Sequence, residues 1–149
     1  MTDQNEKCPH CGASLKKYWH RLTPGLVNTL VKVYTQVCST GKNVINKKSL
    51  NLSHSEYGNF QKLRFHALIA KYIVDGEWHK GEWLITHRGA QFLHGEIQVP
   101  VRVLTFRNHV EDHDEQLVTV TNVIGTQPYF EKEFDYQVAK VAPEQVSLI

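Results

Sequence analysis

Apolar residues first recur at helical spacing from Val27. Leu30, Val31, Tyr34 and Cys38 follow it at i+3, i+4, i+7 and i+11, which lays them on one stripe. Thr23 is a fitting N-cap, Pro24 suits the first helical position and Gly41 a stop. The pattern predicts a helix over Pro24–Ser39. Residues 42–52 read as a shorter, weaker helix, with Val44, Ile45 and Leu50 among Lys42, Lys47 and Lys48. After a turn at Leu52–Ser55, Tyr57, Phe60, Leu63 and Ala67 return to helical spacing, and a helix is expected over Ser55–His66. Gly58 inside it costs roughly 1 kcal/mol relative to alanine, so close packing or a tolerated weakness is expected there.

The period then changes. Leu68–Val74 and Glu82–Ile85 are β-like, and Asp75–Gly81 between them holds two turn glycines, so a hairpin is expected. Thr86 should cap a short helix carrying Ala90, Phe92 and Leu93 and stopped by Gly95. The last third reads as β-rich: Val99–Phe106, Leu117–Ile124 and Phe130–Val138 are candidate strands. Pro100 suits a strand start or edge. Glu111–Glu115 reads as a solvated acidic turn between the first two. A loose tail is expected from Ala142.

Composition narrows the classes. The 149 residues are 41% hydrophobic and 21% charged, a folded composition rather than a disordered one. No run approaches the roughly 18 apolar residues a membrane helix needs. The polar start, Met1–Lys7, shows no secretory pattern. Three cysteines, an odd number, point to a reducing compartment rather than a disulfide framework, and a cytoplasmic location is expected. The formal net charge is +2, yet its distribution is uneven. Residues 1–50 carry +6, residues 51–100 balance at 0, and residues 101–149 carry −4. Any polyanion contact is therefore expected toward the front, and a basic partner toward the back.

Two stretches carry a resemblance. Phe60–Ile69 is similar to the end of a recognition helix running into a wing strand. Gly81–Leu93 is similar to the closing wing strand and the helix after it, where MarR-like winged helix-turn-helix proteins often have Leu-Thr-x-x-Gly-x-x-Phe-Leu. Here Leu84-Ile85-Thr86 shifts the hydrophobic pair, and Ala67 stands where that family often has glycine. The resemblance covers about residues 24–95. It implies an α+β fold with a winged helix-turn-helix core and a helix able to enter the major groove. On these residues it implies DNA contacts from Ser55, Asn59, Gln61 and Lys62, backbone contacts from Lys47 and Lys48, and wing-tip contacts from His79 and Lys80. Glu56, Glu77 and Glu82 dilute that basic face, and an ordinary solvated face gives a similar pattern. Winged helices also serve as protein-interaction modules.

Cys8-Pro9-His10-Cys11-Gly12 is a zinc-knuckle pattern, two thiolates aimed at one tetrahedral metal. Cys8 and Cys11 supply two of four ligands. His10 or His20, the pair His109 and His113, or the same cysteine pair of a second chain are the candidate completions, the last implying a homodimer. Cys38 lies on the apolar stripe and is expected in the core. A knuckle, a winged helix and a β-rich tail together resemble small phage and bacterial proteins. No phosphate loop, nucleophile elbow or His-Glu-x-x-His helix occurs in the sequence, so an enzyme is not expected. The expected organisation is a knuckle over 1–22, a winged helix over 23–97, a β-rich extension over 98–141 and a tail over 142–149. The expected function is duplex-DNA binding in regulation of transcription. The alternative is an adaptor or inhibitor that grips a partner protein through the winged helix and the acidic extension.

Overall fold

The computed structural model describes residues 16–130, and they form a mixed α+β fold. Cys8, Cys11 and most of the Phe130–Val138 strand expectation lie outside the described residues. Strand β1 (Lys17–Arg21) comes first, followed by helix α1 (Pro24–Thr40). The Thr23 hydroxyl accepts the Leu26 amide, and Gly41 ends α1 in the left-handed region with its amide on the Val37 carbonyl. Of the apolar stripe, Val27, Leu30 and Tyr34 are buried, together with Leu26, Val33 and Val37, while Val31 is only half-buried. Cys38 is half-buried at the margin of this core.

The second element differs from expectation. Residues 44–46 form strand β2 (Val44–Asn46), and only Lys47–Ser49 make a single 3-10 turn. Three residues cannot show a period. Their conformation is set by pairing, Val44 opposite Leu84 and Ile45 opposite Trp83. The Asn46 side chain then accepts the Lys48 amide and closes the turn. Helix α2 (His54–Asn59) begins one residue before the expected Ser55, because Ser53 and Glu56 form a capping box. It gives way at Phe60 and Gln61 to helix α3 (Lys62–Phe65). Backbone angles stay right-handed through both residues, and the amides of Leu63 and Arg64 reach back only three residues. A β-carbon at Gly58 would meet nothing within 4 Å, so close packing does not explain that glycine.

Strands β3 (Ile69–Val74) and β4 (Glu77–Ile85) form the expected hairpin, with a tighter turn. Asp75 and Gly76 both have positive φ, +53° and +81°, the two-residue turn that Asp-Gly favours. β2, β4 and β3 make one antiparallel sheet with β4 central. Phe60 packs edge-on to Trp83 of β4 at 5.3 Å, joining the helical segment to the sheet. Helix α4 (His87–Leu93) follows its Thr86 cap, and Gly95 beyond it has φ +76°.

The C-terminal part holds β5 (Val99–Pro100), β6 (Arg102–Phe106), β7 (His109–His113) and β8 (Leu117–Val118). β1, β6 and β7 form a second antiparallel sheet, and β5 pairs with β8. The acidic Glu111–Asp114 stretch lies mostly in β7, and the turn is Arg107-Asn108. Leu117–Ile124 is not one strand. Thr119 and Asn122 form a second capping box, so residues 120–124 become helix α5 (Val120–Ile124). The β-branched residues there concealed a helix start. Val99, Val101, Val118 and Val120 belong to the same buried cluster as α1.

One junction ties these parts together. The α3 segment ends at Ala67, whose φ is +61°. The Ala67 amide donates to the Arg64 carbonyl and the Leu68 amide to the Leu63 carbonyl, a Schellman closure. Thr86 then takes both outgoing carbonyls: its hydroxyl donates to Ala67 at 2.8 Å and its amide to Leu68 at 3.1 Å. The same hydroxyl accepts the Gly89 amide at 2.9 Å. A β-carbon at Gly89 would fall 2.3 Å from the Leu68 carbonyl oxygen. The left-handed angle penalises alanine at 67, and contact forbids a side chain at 89. Ala67→Gly should therefore stabilise the protein by about 0.5–1 kcal/mol. Gly89→Ala should cost about 2 kcal/mol. Urea-unfolding midpoints check both. A destabilised Ala67→Gly variant would contradict the turn.

Candidate nucleic-acid interface

The expected contact residues start from the capping box at Ser53, which fixes the rotation of α2 at its first turn. Lys32 Nζ lies 2.6 Å from Glu56 Oε1 and also donates to the Asn51 carbonyl, tying α2 to α1. Phe60, Leu63 and Phe65 anchor the other side in the core. The polar residues are left on the outer wall. Ser55, Asn59 and Lys62, spaced i, i+4 and i+7, line one cleft of about 230 Å³. Its opposite wall is β1 with the start of α1, through Trp19, Arg21, Thr23 and Gly25. Asn59 Nδ2 donates to the Ser55 carbonyl. Among the described residues Glu56 is the one carboxylate lining this cleft, and Lys32 and Ser53 hold it below its ordinary pKa.

Gln61 and Lys62 also line a second groove, between α3 and the β1–β6 pair. Lys47 sits on the flank of α2, its ammonium 3.9 Å above the Tyr57 ring and 5.3 Å from that of Phe60. Burial lowers its pKa. Lys48 is exposed beside it.

The wing differs from expectation. His79 and Lys80 are not at its tip; they lie within β4, and the tip is Asp75-Gly76 followed by Glu77. His79 Nδ1 is 3.4 Å from Glu82, and its ring packs edge-on to Tyr72 at 5.2 Å. The two-residue turn is tighter than the seven-residue one expected, which moves both residues down the strand. An acidic tip disfavours phosphate.

The ligand pair His109 and His113 does not assemble either. Strand β7 separates them by about 13 Å. A bulge skips Glu111 in the β6 register, with Val110 opposite Thr105 and Asp112 opposite Leu104, which sends the two imidazoles to opposite faces. His20 is engaged: its Nε2 lies 2.9 Å from the Thr105 hydroxyl, and its ring stacks at 4.9 Å on Phe65. Among the described residues no group of three or more His, Cys, Asp or Glu is placed to hold a metal. No helix among them is long and apolar enough to cross a membrane.

The periodicity of α2 gave no hint of β1. Its sequence, Lys17-Tyr18-Trp19-His20-Arg21, sets three consecutive rings between two cations. Tyr18 and Trp19 each remain 46% exposed, and Arg102 lies 4.5 Å over the Trp19 ring. That grouping was the available signal. Arg64 and Lys71 lie near enough that Arg64, after burial, lowers the Lys71 pKa. Comparison of the chain with protein-family models, with curated proteins and with solved structures gives no match.

At the edge of this basic region His66 is 3% exposed, and neither ring nitrogen has a hydrogen-bond partner. Burial, reinforced by His20 and Arg88, depresses its pKa to about 4. The unfolded chain takes up this proton near 6.5, the folded one only near 4. Stability from His66 is thus intact above pH 6.5 and is lost as pH falls toward 4. Going from pH 7 to pH 5 should cost the wild type about 2 kcal/mol more than a His66→Leu variant. Urea unfolding at the two pH values checks this.

Proposed function

We propose that this is a nucleic-acid-binding protein that engages duplex DNA through the α2–α3 segment, not an enzyme. The observation that carries the reading is the placement of Ser55, Asn59 and Lys62 along one cleft with Arg21, with Gln61 beside Lys62 on the adjoining groove and Glu56 already paired with Lys32. A long helix, a short strand, a helical turn, a second helical segment and a hairpin closing on that strand is the order a winged helix needs. We read the core in that way. Amide side chains suit adenine edges, and lysines suit guanine or phosphate. The duplex contact excludes the hairpin tip, which is acidic.

Measured by anisotropy on a mixed-sequence duplex, log affinity should fall with log salt, with a slope of roughly −3 to −4.5 for three to five phosphate contacts. Lys62→Ala should weaken binding several-fold and remove about one unit of slope. A flat salt dependence would sink the reading. The alternative, a protein-binding adaptor, is favoured by one observation: Glu111, Asp112 and Glu115 are exposed on and just after β7, with Asp75 and Glu77 exposed at the hairpin. It predicts no duplex affinity at any salt.

The proposal extends to Cys8 and Cys11 as ligands of a structural zinc in a reducing, cytoplasmic compartment. With His109 and His113 apart, the completions this proposal favours are His10 with a water in the fourth position, or the cysteine pair of a second chain. Elemental analysis of protein purified without added metal should give near one zinc per monomer in the first case. Near one per dimer is expected in the second. Less than about a tenth of an equivalent per chain removes the idea.

A further inference from the structure

The second groove has a chemistry distinct from the duplex-facing edge. It measures about 340 Å³, within the range of small-ligand sites. Its floor is His20, Phe65 and Thr105, already fixed by the His20–Thr105 hydrogen bond and the His20–Phe65 stack. Its rim carries three cations, Lys16, Lys62 and Arg107, and the half-exposed ring of Tyr18. Gln61 and Asn108 add amide donors and acceptors. Among the described residues no Asp or Glu lines it.

The turn that presents Arg107 is a second observation. Arg107 and Asn108 form the two-residue connection of β6 and β7, with φ of +52° and +66°. Such turns favour glycine, asparagine or aspartate at both positions. Asn108 fits that preference and Arg107 does not. A long cation is thus held in a backbone conformation that disfavours it, at the mouth of a cationic groove, and strain of this kind concentrates at binding sites.

We infer that this groove binds a segment of single-stranded nucleic acid, with phosphates on Lys16, Lys62 and Arg107 and a base against Tyr18. Cations along a groove with an exposed aromatic are what unpaired strands require, since every base has a π-face. A duplex keeps its bases stacked inside and has nothing to offer Tyr18. The inference does not depend on duplex binding: Tyr18 and Arg107 line this groove and not the cleft holding Ser55 and Asn59.

The test is anisotropy of the full chain with a labelled ten-nucleotide oligothymidylate and, separately, with the duplex. Wild type should bind the single strand with salt-dependent affinity. Tyr18→Ala should weaken it at least about fivefold, while Tyr18→Phe, which keeps the ring, should not. Arg107→Glu should weaken it more and flatten the salt slope by at least one unit. Duplex affinity should change less than twofold in Tyr18→Ala. Far-UV circular dichroism verifies that the variants fold. The inference is overturned if wild type does not bind the oligonucleotide, if Tyr18→Ala binds it unchanged, or if single-strand and duplex affinity fall in parallel.

Discussion

The left-handed turn at Ala67 is the constraint on which the rest depends. It brings the chain out of α3 with two carbonyls, those of Ala67 and Leu68, aimed at one residue, Thr86. Thr86 satisfies both while capping α4 through Gly89. Three elements that meet here are thereby fixed: the end of the α2–α3 segment, both strands of the hairpin, and α4. The missing side chain at Gly89 lets the α4 backbone come close to Leu68. His66, one residue before the turn, is buried by the same closure, and Arg88 Nε donates to its carbonyl over a long 3.4 Å. Solvating a charged His66 requires opening this junction, so its protonation reports on the junction itself.

What the sequence reveals follows how local each element's cause is. Helix α1 is legible because its cap, its stripe and its left-handed stop all lie between Thr23 and Gly41. The Asp75-Gly76 hairpin and the Thr86 cap are legible for the same reason. β2 is not, because three residues among lysines become a strand only when Leu84 and Trp83 arrive to pair with them. α5 is hidden by Val120, Val123 and Ile124, whose preference for strands is overridden by a capping box and a short helix packed near α1. For the site, spacing along α2 was sufficient to bring Ser55, Asn59 and Lys62 together. The facing wall was not predictable, since β1 reaches it by pairing with β6, about 85 residues further along the chain.

The charge gradient acquires a geometry from this pairing. The front of the chain is basic and the back acidic, yet β1 from the front and β7 from the back share one sheet through β6. Some of the opposed charges meet: Lys17 lies 3.0 Å from Glu111, and Arg102 2.9 Å from Asp114. Both pairs are partly exposed and contribute little to stability. Their effect is on the field. They absorb carboxylates that would otherwise oppose a polyanion near β1. Among the described residues, the exposed carboxylates of β7 and of the hairpin turn line neither groove.

β1 also changes the shape of the surface. A helical segment followed by a hairpin, taken alone, presents a convex edge suited to the wide groove of a duplex. With β1 laid beside it, that segment gains a concave side on each flank of His20, which lines both hollows. Ser55 and Asn59 look onto one hollow, Gln61 onto the other, and Lys62 onto both. A rigid double helix fills neither hollow completely, because its phosphates are held at fixed spacing around a cylinder. A flexible single strand follows a concave path and turns its bases toward an aromatic wall. On the proposed reading, the two ligand forms would call on different residues of one small basic surface, with Lys62 shared, and selectivity between them would rest on Tyr18 and Arg107 against Ser55 and Asn59.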